Sequence, residues 1–202
     1  MDKIILIGSG GHASSCIDVI ESIGQFEIIG LIEKSNRNVN VNLGYPVIGT
    51  DQDLEKYSNK CPNALITVGQ IKSSQKRLKL YEKLKNLGFN LPVIISPNAH
   101  VSKHSQIGEG SIIMHGVLIN ANAKIGANCI INSKSLIEHD AVIGDNCHIA
   151  TGAIINGGVC VGDSSFVGSG SVTKHSLVIG SNCIIGSGIS LKSDVSSGKT
   201  IV

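Results

Sequence analysis

The sequence predicts two parts: an α/β domain of Rossmann type over residues 1–94, then a three-sided parallel β-solenoid over residues 95–202. Three observations carry this. Aliphatic runs alternate with amphipathic helical stretches in the first half, a six-residue period runs unbroken through the second, and the composition suits stacked strands. Aromatics make up only 3%, with no Trp, beside 24 glycines, so a core must be built from branched aliphatic and very small side chains.

In the first half, "KIILIG" reads as a buried strand, "HASSCIDVIESIG" as a short amphipathic helix ended by Gly24, and "FEIIGLIE" as a second strand. "NALITVG" is a third strand, "SSQKRLKLYEKLKNLG" a helix with Gly88 at its end, and "LPVIIS" leads into the solenoid. Strands separated by helices imply a small parallel sheet. Between the first strand and helix lies "GSGGHA", Gly8 to Ala13, a turn that lets backbone N–H groups approach a phosphate at a helix N-terminus. Gly8, Gly10, Gly11 and His12 are therefore candidate substrate contacts. As a dinucleotide fingerprint the turn is incomplete, because Ala13 stands where the third glycine belongs. Glu33, ending the second strand, is placed to accept hydrogen bonds from a ribose or base. The bland counterpart is a tight turn that merely feeds the helix.

From Ile95 to Ser196 the chain divides into 17 hexads, each opening with Ile, Val or Leu except at Thr173. The fifth place is usually small, as at Ala99, Ser111, Ala123, Cys129, Ala141, Cys147, Ala153 and Cys183, which suits a cramped inward position. Above this period lies a second: Gly108, Gly126, Gly144, Gly162 and Gly180 are each 18 residues apart. Three hexads therefore make one coil, and residues 18 apart stack in columns. Cys129, Cys147 and Cys183 share one column, with Ser165 in its gap, and read as core fillers.

A net charge of +2, evenly spread, argues against nucleic acid or an anionic membrane surface as partner. No apolar run reaches membrane-spanning length, and "MDKIILIGSGGH" lacks a signal-peptide cleavage pattern, so a cytoplasmic protein is expected. Six cysteines without a CxxC pair fit reduced thiols better than a disulfide frame or zinc site, and no metal is expected.

The hexads "IGANCI", "INSKSL", "IEHDAV" and "IGDNCH" resemble the left-handed parallel β-helix (hexapeptide repeat prism) of the hexapeptide acyltransferases. The resemblance implies left-handedness, a homotrimer, and acetyl-CoA as co-substrate. The same solenoid also hosts γ-class carbonic anhydrases. With a domain carrying GxGGH after its first strand, the whole chain is similar to the sialic-acid O-acetyltransferase and bacterial nucleotide-sugar N-acetyltransferase family. That implies N-acetylation, from acetyl-CoA, of the 4-amino group of a nucleotide-linked 4-amino-4,6-dideoxy sugar. The N-terminal domain would hold the nucleotide-linked amino sugar, the prism acetyl-CoA, with active sites between neighbouring subunits.

Acetyl transfer from a thioester to an amine needs a base for the nucleophile's proton and a donor for the developing oxyanion. His139 sits in the third, outward place of its hexad, and Asp140 or Glu138 can orient its ring. One coil above lies Gly157 and one below Ala121, so the histidine has small neighbours, and the run "NGG", Asn156 to Gly158, bares N–H groups nearby. The resemblance independently implies His139 as base, Asp140 as its acid and the Gly157 amide as oxyanion donor. It implies a substrate contact for Asn132 and a place for His148 at the thioester end of acetyl-CoA. His148 lies on another face of the prism, so the two histidines are expected to share a site only across a subunit boundary.

Lys192, with Lys174 and Lys199, is placed to meet CoA phosphates, although the chain stops at Val202 without the GxPA-type segment relatives carry after "GKTIV". UDP-binding relatives tend to have paired acids after the second strand where this chain has Glu33 and Lys34, so UDP, dTDP and GDP stay open. O-acetylation of a sialic-acid-like sugar would use the same base. Competing with these are a non-catalytic nucleotide-sugar-binding scaffold, NAD-dependent oxidoreduction from GSGGH, a solvated ion pair at His139, and a zinc site. For the last, His139 and His175 are 36 residues apart, but the near pair is only His100 and His104.

Overall fold

The computed structural model describes residues 1–34 and 40–202. They form two compact units, residues 1–69 with 75–92, and residues 70–74 with 93–202.

The first unit is an α/β layer of β1 (Asp2–Ile7), α1 (Gly11–Ile23), β2 (Phe26–Ile32), β3 (Val41–Asn42), β4 (Tyr45–Gly49), α2 (Leu54–Ser58), β5 (Asn63–Ile66) and α3 (Gln75–Asn86). The sheet order is β3-β4-β2-β1-β5. Strands β1, β2, β4 and β5 run parallel, while β3 pairs antiparallel with β4 and so departs from the all-parallel expectation. The sequence hid β3 and α2 because they are too short for a period to show, and β4 because Pro46 interrupts its strand pattern. Its core joins Ile5, Ile7 and Ile32 to Ala64, Ile66, Leu84 and Phe89. Gly24 ends α1 in the left-handed conformation, at φ 67°. Arg77, fully buried, donates from Nη1 to Ile66 O (2.7 Å) and Val68 O (2.9 Å), pinning α3 to the end of β5.

The second unit is a parallel β-helix whose two-residue strands form sheets of five, six and seven members. Partners lie 18 residues apart, as in Leu118 with Leu136 and Leu136 with Ile154, which is the coil length the glycines implied; the last coil is two residues shorter, pairing Ile184 with Thr200 and Ile179 with Val195. First and fifth hexad places point inward: Ile137, Ala141, Ile143, Cys147 and Ile149 are all buried. The glycine column has a steric cause. A Cβ on Gly108 would sit 2.5 Å from Ala127 N, and one on Gly180 2.5 Å from Ser197 N, so the next coil leaves no room for a side chain. The Ser/Cys column has a polar one. Ser111 Oγ, Cys129 Sγ, Cys147 Sγ and Ser165 Oγ donate to the carbonyls of Gly126, Gly144, Gly162 and Gly180 at 2.8, 3.1, 3.2 and 2.9 Å. Small donors are needed there, and sulfur or oxygen serves.

Candidate active site

The strand Leu136–Ile137 ends at a corner made of Glu138, His139 and Asp140. Asp140 takes the left-handed conformation that turns the coil, at φ 60°, as Asn122 does one coil earlier at φ 61°. Short polar side chains tolerate that conformation. From this position Asp140 Oδ2 accepts a hydrogen bond from His139 Nδ1 at 2.8 Å, and Asn122 Nδ2 steadies the other oxygen at 3.2 Å. Of the two acids able to orient the ring, Asp140 does so. Glu138 Oε2 instead accepts from Asn120 Nδ2 (2.8 Å) and from the His139 amide (3.2 Å). Because Nδ1 carries the proton, Nε2 presents a lone pair, on a side chain that is 60% exposed. The Asp140 hydrogen bond raises the pKa of His139, and the same bond lowers that of Asp140.

Gly157, one coil on, packs against this ring. A Cβ there would lie 2.8 Å from both Cε1 and Nε2 of His139 and 3.3 Å from His175 Nδ1. Two imidazoles thus flank one glycine. The "NGG" run bares less than its sequence suggests: Asn156 N donates to Thr173 Oγ1 (2.9 Å) and Gly158 N to His139 O (3.0 Å). Asn156, whose side chain donates to Thr173 O (2.5 Å), does not cap its neighbour as Asn132 caps Ser133 N (2.8 Å). The Gly157 N–H is left with no acceptor among the described residues, beside a basic nitrogen.

His148 lies in the strand His148–Ile149, in a different sheet from Leu136–Ile137. It is 8% exposed, its Nδ1 meets Gln70 O at 2.5 Å, and its Nε2 meets Asn132 Nδ2 at 3.2 Å. A carbonyl only accepts, so Nδ1–H donates and Nε2 accepts. Phe166 packs edge-on against the ring, centroids 5.2 Å apart. The structure therefore joins Asn132 to His148 rather than to His139. Lys192 is exposed and stands two coils beyond Asn156 in the Glu138 column.

In the first unit a cavity of about 630 Å³ gathers Gly8, Gly10, Gly11, His12 and Glu33. Gly8, at φ 114°, is sterically required, since a Cβ would lie 2.8 Å from Val68 Cγ2, whereas a Cβ on Gly11 would meet nothing. Burial pushes the Cys16 thiol up to about 12, so it stays protonated, with Sγ 3.5 Å from His12 Nε2. Glu33 Oε2 accepts from Ser9 N (2.9 Å) and Ser9 Oγ (2.7 Å), bracing the turn.

Both parts of the chain match known proteins. A family model described as "PglD N-terminal domain" matches residues 3–84, one described as "Bacterial transferase hexapeptide (six repeats)" matches 122–157, and "Hexapeptide repeat of succinyl-transferase" matches 103–133 and 158–193. PerB from Caulobacter crescentus, solved with CoA and GDP-perosamine, is 30% identical with a TM-score of 0.90, covering 98% of this chain and 92% of that one. The acetyltransferase domain of PglB from Neisseria gonorrhoeae FA1090 is 28% identical with a TM-score of 0.91, over 99% of this chain and 96% of that one. The chain belongs to the hexapeptide-repeat nucleotide-sugar acetyltransferases.

Its β-helix is the left-handed prism of that family. WeeI from Acinetobacter baumannii AYE has the same architecture at 27% identity, TM-score 0.86, over 99% of this chain and 96% of that one. No curated protein matches by sequence. Among the described residues no cluster of three His, Cys, Asp or Glu side chains could hold a metal, and no helix is long and apolar enough to cross a membrane. Two features of this acetyltransferase go beyond what its sequence suggests. His175 stands out in the sequence only as a possible metal ligand, and its column with His139 and Gly157 is the signal that points to the site. Lys34, Lys76, Lys79 and Lys83 line the first-unit cavity, and the 76/79/83 spacing on α3 marks them as one helical face.

Proposed function

We propose that this chain transfers the acetyl group of acetyl-CoA to the 4-amino group of a nucleotide-linked 4-amino-4,6-dideoxy sugar, as a homotrimer. The observation that carries the reading is the placing of His139 Nε2 beside Gly157, 18 residues on in one column, whose N–H has no acceptor among the described residues.

The chemistry follows from those groups. His139 Nε2 takes the proton as the sugar nitrogen attacks the thioester carbon, and Asp140 stabilises the imidazolium that forms. The Gly157 N–H donates to the oxyanion of the tetrahedral intermediate. When the C–S bond breaks, the new amide stays on the sugar, CoA leaves as thiolate, and His139 returns its proton to the sulfur or to solvent. No covalent acetyl-enzyme is needed, and Cys147 is unsuited to one, because it is buried and its thiol is engaged with Gly162 O. The cavity of the first unit holds the nucleotide, through Gly8, Gly10, Gly11, His12 and Glu33. His148, Asn132 and Lys192 belong to the cofactor and substrate surfaces of the prism, with His139 of one subunit working beside His148 of the next.

CoA thiol release with UDP-, dTDP- and GDP-linked 4-amino sugars tests this reading. Release with one of them and not with its 4-hydroxy counterpart supports it. Release only with hydroxyl acceptors shows O-acetylation, and no release with any acceptor removes the catalytic reading.

A further inference from the structure

We propose that α3 supplies the phosphate-binding wall of the nucleotide cavity, with Lys76, Lys79 and Lys83, joined by Lys34, neutralising the diphosphate that carries the sugar. This deepens the reading above and rests on it.

Residues 76, 79 and 83 are three and four apart, so they share one face of a helix, and all three line the cavity that contains the Gly8–Gly11 turn. Like charges at that spacing destabilise a helix, and an anion between them removes the penalty. Among the described residues of the lining four lysines face two carboxylates, Glu33 and Asp51, so positive charge is in excess there. The wall is also held in register. Arg77, buried between two of the lysines in sequence, ties α3 to the carbonyls of Ile66 and Val68, and Lys83 Nζ donates to Asp51 O on a further stretch of the rim.

The turn contributes N–H donors at the start of α1, a 13-residue helix, so fixed dipoles and mobile cations line the same cavity. That combination suits a ligand with two linked phosphates better than a neutral sugar. It requires the acceptor to be acetylated while still attached to its nucleoside diphosphate.

Calorimetric titration of the full-length protein with UDP, GDP and dTDP, with the matching nucleosides as uncharged probes, tests the wall independently of turnover. The variants are Lys76→Ala, Lys79→Ala and their double, with Lys76→Arg as charge-retaining rescue and Lys60→Ala as a control outside the cavity. Diphosphate affinity should fall about threefold for each lysine and about tenfold for the double, with a shallower salt dependence and unchanged nucleoside binding. The acceptor KM should rise in step while kcat and the acetyl-CoA KM hold, and arginine should restore binding. Wild-type binding of a diphosphate with no change in the double variant would overturn the wall while leaving the nucleotide reading intact. No binding of any diphosphate by the wild type would overturn both.

Discussion

The His139 imidazole occupies the space that a side chain at Gly157 would need, with Nε2 2.8 Å from the missing Cβ. In the proposed reaction the same residue clears room for the base and offers an N–H to the oxyanion. Gly157 has no left-handed φ, so alanine is allowed by its backbone but not by the ring. Gly157→Ala should leave the melting temperature nearly unchanged, because an exposed ring can swing away, while kcat falls about 100-fold. Gly126→Ala should do the opposite kind of damage. Its Cβ would strike Asp145 N at 2.7 Å, backbone that cannot swing, costing about 1–3 kcal/mol of stability. Thermal melts beside initial rates separate the two.

Asp140→Asn makes a prediction with a definite sign. The carboxylate raises the His139 pKa, and His139 acts as a base only when neutral, so activity rises with pH through that raised value. Removing the charge lowers the pKa, and the acidic limb of the kcat/KM profile should move to lower pH. The plateau should drop roughly 10- to 100-fold, since the ring loses the partner that fixes its tautomer. An unmoved limb would separate Asp140 from the titrating group.

A site shared between subunits predicts complementation. His139→Ala and His148→Ala should each be inactive alone, with losses of about 100-fold or more for the base. Co-refolded in equal amounts, they should recover about a quarter of wild-type activity, because a quarter of the interfaces pair an intact His139 with an intact His148. Sites built within one chain would recover nothing.

His175 gives a prediction the sequence did not suggest. Its Nδ1 lies 3.3 Å from the same empty Cβ position, on the far side of Gly157 from His139. His175→Ala should lower kcat about 3- to 10-fold by opening that side of the amide to water, without changing the acceptor KM. Steady-state kinetics check this.

The solenoid was legible because its rules repeat: Ile137, Ala141 and Ile143 each obey a place in the hexad, and the collision behind Gly126 recurs at every coil. The corner carrying His139 was legible for the same reason, since only its outward places were free to vary. What stayed hidden depends on single side chains. No period says that Asp140 rather than Glu138 orients the ring, or that Asn132 meets His148. Nor does one reveal that Thr173, the one hexad opener outside Ile, Val and Leu, holds the backbone and side chain of Asn156 and so leaves the Gly157 N–H without an acceptor among the described residues. In the first unit β3 and α2 were too short to announce themselves, and Pro46 masked β4.

Mass spectrometry of a nucleotide-linked 4-amino sugar after incubation with acetyl-CoA, for the wild type and for His139→Ala, decides whether the chain is an N-acetyltransferase that relies on His139. The wild type should add one acetyl group that survives mild alkali, as an amide does and an ester does not, and the variant should add almost none. An alkali-labile product, or full transfer by His139→Ala, would contradict the account.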